Sequence, residues 1–245
     1  MAALPKATIL LVLVEPLVLA TQDGYNGSTL PNLAHVLESE SENDMVSDQE
    51  NKQPPRRLVV GISGASGIIY GVRLLKALRA VQVETHLVMT APAETTLSQE
   101  MSMTPAEIKS MATRCYDPDD FAAAIASGSF ATDGMVVAPC SIKTLSGIAN
   151  SYTDNLLIRA ADVTLKEGRP LILMIRETPL HLGHLRLMVR AAEIGAVIFP
   201  PVPTFYAHPA SVDELVDQSV GRVLSRLGMS NDLYKVWDGL TSPPP

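Results

Sequence analysis

Leu171-Ile172-Leu173-Met174-Ile175-Arg176-Glu177-Thr178-Pro179-Leu180 is the stretch on which the fold class turns. Five apolar residues in a row leave no position to face water. This is the pattern of a parallel strand covered by helices on both sides. Two full charges, Arg176 and Glu177, follow at its carboxyl end. Ligands of open α/β sheets bind outside the carboxyl ends of the strands, so a charged pair here is placed for chemistry. A solvated pair in a turn set up by Pro179 is the other reading, and position alone does not separate them.

Outward from this strand, the chain alternates strand and helix from Arg57 onward. Strands are expected at Leu58–Ile62, Val83–Met89, Gly134–Ala138, Leu171–Ile175 and Ala196–Phe199. Amphipathic patterns predict helices over Ile68–Ala80, from Pro92 to Gln99, and over Ile142–Ala149, Asp154–Lys166, His184–Ile194 and Val212–Leu227. Thr104-Pro105-Ala106-Glu107 is a capping box with proline in the first helical position, starting a helix to about Thr113. Short helices are expected at Phe121–Ala126 and Leu233–Trp237. The alternation predicts a doubly wound parallel sheet of the flavodoxin-like or Rossmann-like kind, three layers deep in the order α/β/α.

At 245 residues and 47% hydrophobic content the chain builds one sizeable core. Residues 1–55 carry eight acidic and two basic side chains, almost the whole net charge of −7. They are expected to form a poorly ordered or processed extension before a single domain over 56–240. No basic face points to nucleic acid. Ala7–Ala20 is apolar but interrupted by Glu15 and Pro16, too short for an ordinary membrane span, and no stable membrane association is expected. Val18-Leu19-Ala20 resembles a signal-peptidase site and Asn26-Gly27-Ser28 is a formal glycosylation sequon. Cys115 and Cys140 form no metal or disulfide pattern, which fits a reduced compartment. The N-terminal signals conflict, with no arginine before Arg56 for a transit peptide, and a mitochondrial or cytoplasmic location is expected over secretion. The histidines show no metal spacing, and no metal is expected.

Each strand end carries residues suited to a ligand. Gly61-Ile62-Ser63-Gly64-Ala65-Ser66-Gly67 is either a tight turn or a loop whose backbone approaches a phosphate at a helix N-terminus. Thr90 ends the second strand, as a helix cap or a ligand contact. Ser141 and Thr144 add hydroxyls and a helix start after Pro139-Cys140. Cys140 itself reads as a buried small hydrophobe. Arg159 and Lys166, seven apart, share a helix face. Tyr206 stands in a proline-bounded loop, and Trp237 is the only tryptophan.

Together these segments resemble the UbiX-type flavin prenyltransferases, historically the fungal phenylacrylic acid decarboxylases. The resemblance runs from about Arg57 to Trp237. It is carried by G-I-S-G-A-S-G-I-I-Y-G (61–71), V-E-T-H-L-V-M-T (83–90), S-G-S-F-A-T-D-G-M-V-V-A-P-C-S-I-K-T-L (127–145), D-N-L-L-I-R-A-A-D-V-T-L-K-E (154–167), R-E-T-P-L-H-L (176–182) and P-T-F-Y-A-H-P (203–209). The resemblance implies a homo-oligomer, typically a dodecamer, that joins a dimethylallyl group from its monophosphate or diphosphate to N5 and C6 of reduced FMN. The product is prenylated FMN, the cofactor of a UbiD-type decarboxylase. By matched position Gly64, Ala65, Ser66, Thr90, Ser141, Ile142, Lys143, Thr144 and Arg159 hold FMN. Tyr206, Arg222, Lys166 and Arg176 hold the prenyl phosphate, and Phe130 and Trp237 surround the dimethylallyl tail. Glu177 transfers a proton, and Glu100 matches a further active-site acid. The resemblance also implies that Arg176-Glu177 completes the site of a neighbouring subunit. An FMN-dependent decarboxylase of cysteinyl substrates and a non-catalytic FMN-binding subunit are the competing readings.

Overall fold

The computed structural model describes residues 55–239. The expected extension over 1–55, with its apolar run and sequon, lies outside the described residues except for Pro55. Six strands form one all-parallel sheet: β1 (Arg57–Ile62), β2 (Glu84–Met89), β3 (Arg114–Tyr116), β4 (Met135–Cys140), β5 (Leu171–Ile175) and β6 (Ala196–Ile198). Their order is β3-β2-β1-β4-β5-β6, so the winding direction reverses between β1 and β4. The helices are α1 (Ile68–Ala80), α2 (Ala91–Glu100), α3 (Pro105–Lys109), α4 (Ile142–Ala149), α5 (Leu156–Lys166), α6 (Leu182–Glu193) and α7 (Val212–Arg226). The doubly wound reading of the sequence holds.

Strand alternation sorts the core into two layers. Leu58, Val60 and Ile62 of β1, Val136 and Ala138 of β4, and Ile172 and Met174 of β5 pack with α1 and α7. Their neighbours Val59, Met135, Val137, Leu171, Leu173 and Ile175 pack with α4 and α5 on the other face. Each such aliphatic side chain, fully buried, contributes about 1.5–3 kcal/mol. Apolar residues at every position of β5 are thus required by two covered faces. Among the described residues, no helix is long and apolar enough to cross a membrane.

Four expectations need correction. Arg114–Tyr116 adds an edge strand, so the strand expected third is the fourth. The helix expected to reach Thr113 stops at Lys109, because Thr113 and Thr85 exchange amide-to-hydroxyl hydrogen bonds, each 3.0 Å, that draw the chain onto β2. Phe121–Ala126 shrinks to a 3-10 turn at Ala124–Ala126: Asp117 and Asp120 accept from the amides of Asp119 and Ala122, favouring turns over helix. Leu233–Trp237 forms no helix and runs as an irregular segment after α7. Five residues are too few to offset helix nucleation.

Candidate active site

Between the carboxyl ends of β1, β2 and β4 opens a crevice of about 1000 Å³, at the point where the strand order reverses. That volume is at the upper end of the roughly 300–1,000 Å³ range of small-molecule pockets. Ser63 stitches the walls together. Its hydroxyl donates to the Pro139 carbonyl at 2.9 Å and accepts from the Ser141 amide at 2.8 Å, tying the loop after β1 to the loop after β4. Gly64 lies so close to Pro92 that a Cβ there would collide with it. Only glycine lets the β1 loop approach α2 in this way.

Gly64, Thr90, Ser141, Ile142, Lys143, Thr144 and Glu177 line this one crevice. Ser141 caps α4, its Oγ accepting from the Thr144 amide at 3.3 Å and donating to Thr144 Oγ1 at 3.1 Å. The Lys143 ammonium reaches Asp154 at 3.7 Å and is otherwise open to solvent. Thr90 Oγ1 is buried with no partner among the described residues, and it does not cap α2. A buried, unpaired hydroxyl costs about 1–3 kcal/mol. Such an atom on the wall of a crevice fits a polar ligand. The hydroxyls, the α4 N-terminus and the volume together suit a flavin mononucleotide.

The Arg176-Glu177 pair divides. Glu177 lines the crevice of its own protomer, and its carboxylate accepts from the Thr178 amide at 3.0 Å. Arg176 lies instead over Gly67, at the start of α1, and next to Glu100. Glu100 accepts from the Gly67 amide (2.9 and 3.0 Å to its two oxygens) and from the Ile68 amide (2.9 Å). The amides at the start of α1 are therefore satisfied by a carboxylate. Partial burial pushes the Glu100 carboxyl up, but hydrogen bonds from Ser66, Ile68 and Gly67, with the Arg176 charge, outweigh it. They hold the group below the usual carboxylate range. The Cys140 thiol is fully buried and pushed far up by that burial, so it is no nucleophile.

Several expected residues stand elsewhere. Phe130 lies against Arg57, whose guanidinium sits 4.5 Å from the ring centroid, and packs edge-on against His86. Arg57 begins β1, so Phe130 is at the amino end of the sheet. Lys166 ends α5, the helix that precedes β5, and pairs with Glu167. A six-residue strand spans about 20 Å, so neither residue reaches Glu177 within one protomer. Arg159 donates to the Ala126 carbonyl at 3.1 Å and pairs with Asp162 at 3.0 Å. Tyr206 and Trp237 meet edge-on, their centroids 5.4 Å apart. Arg222 is exposed on α7 and makes no ion pair among the described residues.

Sequence reasoning missed one wall of the crevice. Tyr116 ends β3, Asp117 and Asp119 follow it, and Glu94 and Lys109 pair in the same wall at 2.7 Å. Tyr116 is held by the buried His86, whose Nδ1 lies 2.8 Å from the phenol and whose Nε2 lies 2.9 Å from Glu84. Burial pushes that imidazole down, despite Glu84. The neutral tautomer that suits both contacts donates to Glu84 and accepts from Tyr116. Asp117-Pro118-Asp119 after a β-prone Cys115-Tyr116 was the available signal.

Fold and crevice define a doubly wound flavoprotein, and residues 46–224 match the family model described as Flavoprotein. Within it the chain belongs to the flavin prenyltransferases. It is 60% identical over 187 residues to flavin prenyltransferase UbiX of Escherichia coli K12, covering 75% of this chain and 99% of that protein. The mitochondrial flavin prenyltransferase PAD1 of Saccharomyces cerevisiae is 41% identical over 216 residues, 88% of this chain and 89% of PAD1. AnUbiX (PadA1), solved in complex with FMN and dimethylallyl pyrophosphate, superposes with a TM-score of 0.75 at 46% identity, over 76% of this chain and 100% of that one. A dodecameric FMN-dependent UbiX-like decarboxylase from Escherichia coli O157:H7 does so with a TM-score of 0.73 at 47% identity, over 75% and 100%.

Proposed function

We propose that this chain joins a dimethylallyl group, from its monophosphate or diphosphate, to N5 and C6 of reduced FMN, making prenylated FMN for a UbiD-type decarboxylase. The observation that carries the reading is the convergence of Glu177 with the unpaired Thr90 hydroxyl and the Ser141–Thr144 helix start in one crevice. The FMN and dimethylallyl pyrophosphate bound in the AnUbiX structure support it. When bound, reduced FMN supplies the nucleophilic nitrogen and carbon.

Gly64, Ala65, Ser66, Thr90, Ser141, Ile142, Lys143, Thr144 and Arg159 hold the flavin. Arg176, Lys166 and Arg222, with the Tyr206 hydroxyl, bind the phosphate and stabilise the charge it gains as the allylic C–O bond breaks. Phe130, Tyr206 and Trp237 offer π-faces to the allylic group and keep water away. A carboxylate oxygen of Glu177 takes the proton released on ring closure. Glu100 fixes the α1 start and holds Arg176 beside it. Because Phe130 and Lys166 stand at the far end of their own sheet, they serve the site of another copy in a homo-oligomer. A dodecamer is the assembly that the solved relative supports. Residues 56–240 act as one domain, to which 1–55 are an N-terminal extension. Of the mitochondrial and cytoplasmic locations expected, the name of the yeast relative, a mitochondrial protein, supports the first.

The test is anaerobic incubation of the purified protein with reduced FMN and dimethylallyl phosphate or diphosphate, followed by mass spectrometry of the released flavin. A flavin heavier by one dimethylallyl unit is expected. Unmodified FMN with both donors would sink the reading.

A further inference from the structure

After α7 the chain turns back at Gly228, where φ is +70°, and residues 229–239 follow as a strap. Arg56 donates to the carbonyls of Leu227 (2.8 Å) and Gly228 (3.3 Å), fixing the turn. Asn231 clasps the strap to the helix. Its Nδ2 donates to the Gly221 carbonyl at 3.1 Å, to Ser225 Oγ at 3.2 Å and to the Met229 carbonyl at 3.2 Å. Its Oδ1 accepts from the Leu233 amide at 3.2 Å.

Opposite the clasp lies Gly221, inside α7. A Cβ there would stand 2.8 Å from Asn231 Oδ1 and 3.0 Å from both Leu233 Cβ and Tyr234 Cδ1. Glycine is a poor choice inside a helix, and the close approach of the strap accounts for it. Past the clasp, the strap brings Trp237 edge-on to Tyr206, at 71° between ring planes. Trp237 is 56% exposed and Tyr206 42%, so core packing does not explain their meeting. Tyr206 belongs to a separate segment, the 3-10 turn Phe205–Ala207 after β6.

We propose that Gly221 and Asn231 are positioning residues for the prenyl donor. They clasp the strap onto bare α7 backbone, one residue from Arg222, so that Trp237 is set against Tyr206 before the donor arrives. This rests on the reading of Tyr206, Arg222 and Trp237 as donor-binding residues. A rigid aromatic pair lowers the ordering cost of binding. Losing it weakens donor binding and leaves the flavin site, formed at the strand ends, intact.

Trp237 is the only tryptophan, so its fluorescence reports the strap directly. The full-length protein is compared with Gly221→Ala and with Asn231→Ala, each with and without FMN. Both variants are expected to show red-shifted emission and lower anisotropy. KM for dimethylallyl phosphate should rise by up to about tenfold, the measure of one edge-to-face aromatic contact. The kcat and the Kd for FMN should stay within about twofold, as for lost uniform binding. The strap holds no helix, so far-ultraviolet circular dichroism should be unchanged in both variants, separating an unclasped strap from an unfolded chain. Unchanged emission and anisotropy in both variants would overturn the clasp. Shifted emission with unchanged KM would overturn the positioning role. Absence of prenyl transfer by the unsubstituted protein sinks the functional reading instead, and the emission then still decides the clasp.

Discussion

At the end of β5, side-chain alternation sends Arg176 and Glu177 to different surroundings, one onto the α1 start and the other into the crevice. Glu177→Gln removes a proton acceptor without changing shape. It is expected to lower kcat by about 10²–10⁴-fold while the Kd for FMN, read by titration, stays unchanged. Thr90→Val tests the neighbouring wall with effects of opposite sign. Removing an unpaired buried hydroxyl should stabilise the flavin-free protein by about 1–3 kcal/mol, and losing a ligand hydrogen bond should weaken FMN binding by about 0.5–1.5 kcal/mol. Thermal melts and FMN titration check the two halves. Thr90, Ser141 and Glu177 were legible in the sequence because each stands within two residues of the end of a recognisable strand. The Glu100 contact with Gly67 and Ile68 was not, because a residue 32 or 33 positions away meets an amide only once α1 and α2 are packed.

Among the elements, α1 depends on that contact. A carboxylate at a helix N-terminus interacts favourably with the dipole and satisfies amides that have no partner within the helix. The Glu100 carboxyl is held below its ordinary value in the folded protein. Its contribution is therefore present above the unfolded pKa of roughly 4.3 and is lost as pH falls through the lower folded value. Glu100→Gln should flatten the acid limb of the stability–pH curve and leave its neutral-to-alkaline limb parallel to that of the unsubstituted protein. Urea melts across that range decide it, and an unchanged acid limb would count against the cap. Long periodic elements such as β1, α1, β5 and α7 could be read from pattern alone. The edge strand β3 could not, since three residues paired on one side only carry little periodicity. Nor could the strap after α7, whose path is set by the missing side chain at Gly221 and the clasp of Asn231.

The whole molecule poses a problem that one copy does not solve. Glu177 stands at the carboxyl end of the sheet, Phe130 and Lys166 at its amino end, about 20 Å away along the strands. On α6, Leu182, Leu185 and Val189 are 59, 45 and 56% exposed and share a face, an apolar stripe that a second copy would cover. Leu185→Glu together with Val189→Glu should dissociate the assembly in sedimentation and abolish transfer, with the fold retained by circular dichroism. Dissociation alone, however, does not say which residues cross between copies. Complementation does. Glu177→Gln and Lys166→Ala chains, each inactive by itself, are co-expressed with different tags and purified as mixed assemblies. If every site takes Glu177 from one copy and Lys166 from another, random equal mixing leaves about one quarter of the sites with both residues intact. The mixture should then recover about one quarter of full activity. If both residues acted from the same chain, no mixed assembly would contain an intact site, and activity would stay at the level of the single variants.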